Sequence, residues 1–162
     1  MPTIRPSTPG DAAVLTDIWR ASVRATHDFL SAEHFTEIEA LVANHYVPHA
    51  PLWVIEADGS PAGFMGLTRA HVDALFIDPR RRAQGLGRAM IAHAQALEGS
   101  LTVDVNEQNP QAVGFYERMG FVRHGRSAPD DAGRPYPLLH MRQEYAKFPR
   151  GINTFGQILL QP

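Results

Sequence analysis

The chain has 162 residues and a formal net charge of −2, with 44% hydrophobic and 20% charged residues. This length and composition predict one soluble globular domain with a substantial core. The charge argues against a general nucleic-acid binder, and the absence of cysteine excludes disulfides, thiolate metal sites and a cysteine nucleophile. No signal peptide or run of about 18 apolar residues is present, so we expect a cytoplasmic protein without a membrane span.

The beginning of the chain predicts a short strand, at residues 3–5, and two amphipathic helices. Thr8 followed by a proline is typical of a helix start, and apolar residues recur at helical spacing over about 9–25. Ser31 is a candidate cap for a second helix, which ends before Pro48. The residues that we expect to be buried on this second helix are Phe35, Ile38, Leu41 and Val42.

Three strands are predicted next. Residues 52–57 and 62–68 form a hairpin around a turn at 58–61, and residues 71–77 form the third strand. Alternate residues of a strand point to the same face. The face that contains His71 therefore also carries Asp73, Leu75 and Ile77.

Two more helices are predicted, with a strand between them. The first begins near Leu86 and ends at Gly99, and the strand at 101–106 has one polar face. Asn109 caps the second helix, because it is a good N-cap and proline follows at the first helical position. We expect its buried residues to be Ala112, Phe115 and Met119.

The remaining segments complete an α/β fold (α+β by some schemes). A strand begins at Phe121, a loop covers 128–135 and a last strand covers 138–145, which gives the order β-α-α-β-β-β-α-β-α-β-β. Hairpins adjoin crossovers, so we expect a mixed central sheet of about seven strands with helices on both faces. We assign residues 1–145 to a single domain and 146–162 to a C-terminal extension of unknown role.

The segment from Arg80 to Met90 predicts an anion site. An apolar strand ends at Asp78, three arginines follow, and Gly85 and Gly87 precede the start of a helix. The first N–H groups of a helix lack internal partners, and the helix dipole favours an anion there. This combination is typical of a phosphate-binding turn.

Two other phosphate motifs fit less well. No Gly-Lys-Ser/Thr follows the glycines, which excludes a P-loop. A dinucleotide fingerprint needs a third glycine or alanine where Met90 stands, and the candidate ribose-binding acid, Asp104, falls within its strand. A dinucleotide-binding protein therefore stays as a minor alternative.

Two strings together resemble the GNAT N-acetyltransferase superfamily. They are Arg82-x-x-Gly85-x-Gly87 after a strand, and Asn109-x-x-Ala112-x-x-Phe115-Tyr116-x-x-x-Gly120-Phe121 further on. The strings at 25–31, 73–79, 105–109 and 133–139 are similar to those of bacterial YjaB-type acetyltransferases. One departure is Ala83, which stands at a position that is often glycine in the superfamily.

The resemblance implies an acetyl-CoA-dependent N-acetyltransferase that works by direct attack of an amine within a ternary complex. The acceptor would be a small-molecule or protein amine, with no nucleic acid or membrane partner, and the enzyme would be a monomer or homodimer. The alternative is a non-catalytic acetyl-CoA-binding regulatory domain, because a fold can persist without its activity.

The resemblance also assigns the cofactor-binding residues. The loop amides would hold the pyrophosphate, the strand backbone would pair with the pantetheine arm, and the helix-capping asparagine would lie beside that arm. The residues implied are Leu75, Phe76, Ile77, Arg82, Ala83, Gln84, Gly85, Leu86, Gly87, Arg88 and Asn109.

Catalysis is predicted to need an acid and a base. Tyr116 resembles the general acid that protonates the departing thiolate, although a buried tyrosine is also a common core residue. His71 is the candidate base, since imidazole titrates near neutrality and Asp73 could orient it. A water could serve instead, and a histidine satisfied by a neighbour is an equally ordinary reading of His71.

The acceptor site is the least defined part of the prediction. By resemblance it is framed by residues 25–31 and 127–137, with His27, Phe29, Asp73 and Tyr136 as candidate contacts. Asp130 and Asp131 could attract a cation. No His-x-x-x-His or His-Glu-x-x-His pair is present, so we expect no metal site.

Overall fold

The computed structural model describes residues 1–130 and 132–144, and it confirms the predicted element order. The helices are α1 (Ala12–Thr26), α2 (Ala32–Leu41), α3 (Leu86–Glu98) and α4 (Pro110–Arg118). The strands are β1 (Thr3–Pro6), β2 (Leu52–Ala57), β3 (Ser60–Thr68), β4 (His71–Ile77), β5 (Thr102–Asn106), β6 (Phe121–Ser127) and β7 (Leu138–Gln143). They form a seven-stranded mixed sheet in the order β1-β2-β3-β4-β5-β7-β6. The predicted end of the last strand, Tyr145, and the extension at 146–162 lie outside the described residues.

The chain forms two compact units. The first unit contains Met1–Thr68 and Val72–Met90, and the second contains Arg69–His71 and the described residues from Ile91 to Glu144. No helix in the described part of the chain is long and apolar enough to cross a membrane.

In the first unit, β1, β2 and β3 pair antiparallel. The hairpin between β2 and β3 turns on Asp58 and Gly59, whose φ angles are 53° and 78°. Two successive positive φ values match the right-handed twist of the flanking strands. The turn is therefore shorter than the predicted four residues, and Ser60 and Pro61 already belong to β3.

Helix α1 covers the core of the first unit. Its buried face carries the apolar residues at helical spacing, and this face packs with β2 and β3. The buried cluster consists of Leu15, Ile18, Trp19, Val23, Val47, Leu52, Val54 and Phe64. Trp19 stacks at a tilt on Phe35 of α2, with 5.6 Å between ring centroids.

The predicted buried face of α2 is only partly correct. Ser31 caps the helix as expected, because its Oγ accepts the N–H of His34 at 3.1 Å. Phe35, Ile38 and Val42 pack against the core as predicted, but Leu41 is 51% exposed. The chain passes into a π-helical turn over Val42–Tyr46 directly after Leu41.

The second unit contains β5, β7 and β6, which pair antiparallel in that order. On α4 the buried residues are Val113 and Tyr116, so the expected stripe of Ala112, Phe115 and Met119 was wrong by one position. Both stripes recur at helical spacing and both are apolar, so periodicity could not choose between them.

An ion pair fixes the start of the first unit. The carboxylate of Asp11 accepts two guanidinium bonds from Arg5, at 2.8 and 2.9 Å, and the N–H of Thr8 at 2.7 Å. Its side chain is only 9% exposed. The Arg5 guanidinium holds the pKa of Asp11 well below its usual range.

Asp11→Asn should lower the free energy of unfolding at pH 7 by about 2 kcal/mol, because hydrogen bonds to a buried charge are lost. The depressed pKa means that this stability is present above the unfolded pKa and is lost as pH falls. The difference in free energy of unfolding between the wild type and Asp11→Asn should therefore be smaller at pH 3 than at pH 7. Urea unfolding at the two pH values measures it. Asp17→Asn is the control, since Asp17 is 73% exposed and also pairs with an arginine. An equal loss in both variants would contradict a special role for Asp11.

Candidate active site

The turn after β4 is built around Asp78. Asp78 is 5% exposed. Its carboxylate accepts hydrogen bonds from the backbone N–H of Arg80 at 3.0 Å and from the guanidinium of Arg80 at 2.8 Å. The N–H of Asp78 donates to the carbonyl of Ala62 at 2.8 Å. The pairing with Arg80 lowers the pKa of Asp78, so the carboxylate stays ionised directly after the end of β4.

The arginines of the turn divide into two pairs. Arg80 is bound to Asp78, and Arg81 pairs with Asp58 at the hairpin tip at 2.6 Å. Arg82 and Arg88 are exposed, and in the part of the chain that the structure describes neither has a carboxylate partner. These are the two arginines that the sequence assigns to an anion.

The backbone of the turn adopts the left-handed conformation at two residues. Ala83 has a φ of 61° and Gly85 a φ of 75°. Gly85 is also the cap of α3, since its carbonyl accepts the N–H of Ala89 at 3.0 Å, and Leu86 is buried directly after it. The amides that open the helix therefore lie in an exposed turn with no helical acceptor, as an anion site requires.

Strand β4 leads into this turn. Leu75, Phe76 and Ile77 are all half-buried, and Phe76 packs on Phe64 with 5.5 Å between ring centroids. Asp73 is exposed and accepts a hydrogen bond from the hydroxyl of Thr68. Burial, with the charge of Asp73 adding to it, raises the pKa of Tyr46 to about 12.

His71 belongs to the second unit, and its partners differ from the expected one. Its Nδ1 lies 2.7 Å from the hydroxyl of Thr102, and its Nε2 lies 3.8 Å from Asp104 Oδ2. The carboxylate near the imidazole is therefore that of Asp104, whereas Asp73 bonds Thr68. Thr102 and Asp104 belong to the polar face of β5. The sequence predicts this face, but it does not indicate that His71 lies beside it.

Tyr116 lies on the buried face of α4 and is 7% exposed. Phe115 and Phe121 flank its ring edge-on, with centroids at 5.1 and 5.3 Å. Burial raises the pKa of the phenol well above its usual value. The side chain therefore holds its proton at any pH where the protein works, which suits a proton donor.

Asn109 acts as a helix cap, as predicted. Its Oδ1 accepts the N–H of Ala112 at 3.2 Å, and the residue is 7% exposed. The capping bond uses the amide oxygen and leaves the NH₂ group as a donor for a ligand.

The candidate acceptor residues lie in different settings. In the first unit, the His27 ring lies 5.2 Å from that of Phe29, and burial lowers the pKa of this histidine. In the second unit, Tyr136 is 6% exposed. Asp130 accepts N–H bonds within its own loop and pairs with Arg134 at 3.6 Å, and Asp131 lies outside the described residues.

Sequence reasoning missed a group of polar side chains on β5, β7 and β6. Asp104 Oδ1 lies 2.6 Å from His140 Nδ1, and His140 Nε2 lies 2.6 Å from the hydroxyl of Ser127. The alternating polar residues of β5 were the available signal. The pairing with residues far along the chain follows only from the strand register.

The chain matches the family model described as "Acetyltransferase (GNAT) domain" over residues 14–142, which include residues of both units. The peptidyl-lysine N-acetyltransferase YjaB of Salmonella typhimurium is 54% identical over 87% of this chain and 97% of the relative. The solution structure of apo-form YjaB from Escherichia coli matches with a TM-score of 0.84 at 51% identity, covering 88% of this chain and 97% of that chain.

A more distant structure shares the fold. The PaiA N-acetyltransferase of Thermoplasma acidophilum, in complex with coenzyme A, has a TM-score of 0.74 at 16% identity over 90% of this chain and 99% of its own. The close relatives confirm the resemblance that the two motif strings indicated, and they remove the non-catalytic and dinucleotide-binding alternatives. This chain belongs to the GNAT acetyltransferase family and is an acetyl-CoA-dependent N-acetyltransferase.

Proposed function

We propose that this enzyme acetylates the side-chain amine of lysine in proteins, by direct attack of the amine while the acyl donor is bound. The observation that carries the proposal is the likeness to a peptidyl-lysine N-acetyltransferase over nearly the whole of that relative. The exposed carboxylate of Asp73 supports it, because a lysine ammonium is a cation of matching charge.

The turn between Asp78 and α3 is the proposed pyrophosphate site. The amides around Gly85 and the start of α3 supply donors, and Arg82 and Arg88 are available for charge-assisted bonds. The backbone of residues 75–77 would hold the pantetheine arm, and the free amide donor of Asn109 would add one bond to it.

Acetyl-CoA supplies an activated acetyl thioester. Residues of this chain would remove a proton from the amine and donate one to the departing thiolate. His71 is the proposed base, with a water as the other candidate. If Nδ1–H donates to Thr102, the Nε2 lone pair is left to accept a proton from the lysine ammonium. The resulting imidazolium would then face Asp104 at 3.8 Å, which stabilises the charge.

Tyr116 is the proposed acid. Its buried phenol remains protonated, and proton transfer from it to the CoA thiolate completes the release of the thiol. Leu75, Phe76 and Ile77 would contribute backbone N–H groups that polarise the carbonyl under attack.

The acceptor is tested with peptides that carry one lysine and a blocked N-terminus. We expect thiol release with the lysine peptide, +42 Da on that lysine, and none with the matched arginine peptide. Asp73→Asn should raise the KM for the lysine peptide about tenfold with a smaller change in kcat, because an attraction present in both ground and transition states is lost. A higher kcat/KM for spermidine or free lysine than for the peptide would overturn protein lysine as the acceptor.

Gly85→Ala should weaken acetyl-CoA binding about 5- to 30-fold, because a Cβ disfavours the left-handed conformation by about 1–2 kcal/mol and the free turn can relax out of it, whereas the bound turn must keep it. Calorimetry with acetyl-CoA measures the change. Ala83→Gly is the matched control, since its φ of 61° suits glycine and its affinity should be equal or better. Equal affinities in all three proteins would exclude this turn as the pyrophosphate site.

Tyr116→Phe should retain acetyl-CoA binding and lower kcat by about 10²- to 10⁴-fold, the usual contribution of a general acid. Because burial raises the pKa of Tyr116, deprotonation of this group should cause no loss of wild-type kcat up to about pH 10. Stopped-flow thiol detection across pH 7–10 checks both points. Unchanged turnover in Tyr116→Phe would remove this residue from the chemistry.

A further inference from the structure

Three side chains on neighbouring strands of the second unit form a hydrogen-bonded chain. The hydroxyl of Ser127 lies 2.6 Å from His140 Nε2, and His140 Nδ1 lies 2.6 Å from Asp104 Oδ1. A nucleophile, a base within hydrogen-bond reach of it, and a third group that orients the base are the parts of an activated serine. Asp104, Ser127 and His140 lie on three separate strands and far apart in the sequence, so no short sequence motif marks them.

The donor and acceptor roles follow from chemistry. An ionised carboxylate can only accept hydrogen bonds, so His140 must carry its hydrogen on Nδ1 to bond Asp104. In the neutral imidazole, Nε2 then holds a lone pair directed at the serine hydroxyl. Ser127 therefore donates to His140, and this is the direction in which its proton must travel for Oγ to attack a carbonyl.

The strands are shaped to fit the His140 ring. Asp104 stands directly opposite His140 in the register of β5 and β7, and Gly125 stands opposite it in the register of β6 and β7. A Cβ at Gly125 would lie 3.3 Å from His140 Cδ2, so any side chain there would crowd the ring. A bulge next to Gly125 shifts the β6 register, and the ring reaches Ser127, two residues further along.

The three groups are also open to a substrate. The side chain of His140 is 28% exposed and that of Asp104 is 31% exposed, while Ser127 is half-buried. The second carboxylate oxygen of Asp104 lies 3.8 Å from His71 Nε2, and the His124 ring lies 6.4 Å from that of His140. A serine held at hydrogen-bond distance on an accessible surface can meet an acyl carbonyl from solvent.

We propose that Ser127, with His140 as base and Asp104 as the residue that orients it, is a second acyl-transfer site that hydrolyses activated acyl esters and thioesters. Ser127 Oγ bonds to the acyl carbon while its proton moves to His140 Nε2. The leaving alkoxide or thiolate departs with the electrons of the broken C–O or C–S bond and takes that proton. Water then attacks the acyl-serine, with His140 accepting and returning a proton, which releases the carboxylic acid and free Ser127.

The test uses the full chain, p-nitrophenyl acetate as substrate and a fluorophosphonate as a label for activated serines. We expect p-nitrophenol release without any amine, and a mass adduct on the peptide that contains Ser127. His140→Asn should slow labelling at least about 100-fold, the scale of a lost general base. Ser127→Ala should abolish the adduct, and His124→Asn, a histidine beside the ring but outside the hydrogen-bonded chain, should label like the wild type.

A comparison of the wild-type and Ser127→Ala proteins can overturn the proposal. Ester cleavage no faster than that of the Ser127→Ala protein, or an adduct on a residue other than Ser127, would reduce the three residues to a cross-strand hydrogen-bond network. Failure here is distinct from failure of the proposed lysine acetylation, because Tyr116→Phe should lose amine acetylation and keep the Ser127 adduct.

Discussion

The buried carboxylate of Asp78 anchors the turn that is proposed to bind the pyrophosphate. It binds the backbone and the guanidinium of Arg80 at the point where β4 ends. The left-handed residues Ala83 and Gly85 follow within a few positions of this anchor. The anchor occupies Arg80 and the hairpin residue Asp58 occupies Arg81, so the charges left for the proposed ligand are those of Arg82 and Arg88.

The proposed acid and base lie in opposite environments, and this fits their roles. Tyr116 is buried between two aromatic rings, and this burial keeps the phenol neutral and protonated. His71 is half-exposed and its Nε2 lies 3.8 Å from the carboxylate of Asp104, so a counter-charge stands beside the proposed base. Burial favours the neutral form of a donor, whereas an acceptor that becomes cationic needs solvent or a counter-charge.

Local chemistry made much of the fold predictable from sequence. The capping bonds of Ser31 and Asn109 join residues that are three positions apart, and the turn at Gly85 depends on its own φ angle. These roles therefore follow from the local sequence. The face of α4 was missed because two neighbouring stripes are equally apolar.

The partners of His71 and His140 were missed for a different reason. The bond between Asp104 and His140 joins residues 36 positions apart, so it depends on which strands pair and in which register. Side-chain polarity along one strand cannot supply that information.

The ion pair between Arg81 and Asp58 makes the proposed pyrophosphate site sensitive to ionic strength in two opposing ways. Asp58 stands at the tip of the β2–β3 hairpin and its side chain is 84% exposed, so dissolved ions screen its attraction for Arg81. The same ions would screen the proposed attraction of Arg82 and Arg88 for phosphate. Added salt would thus weaken the attraction of Arg82 and Arg88 for the proposed ligand while it releases Arg81 from Asp58. The hairpin tip therefore affects the charge available in a turn to which it does not itself belong.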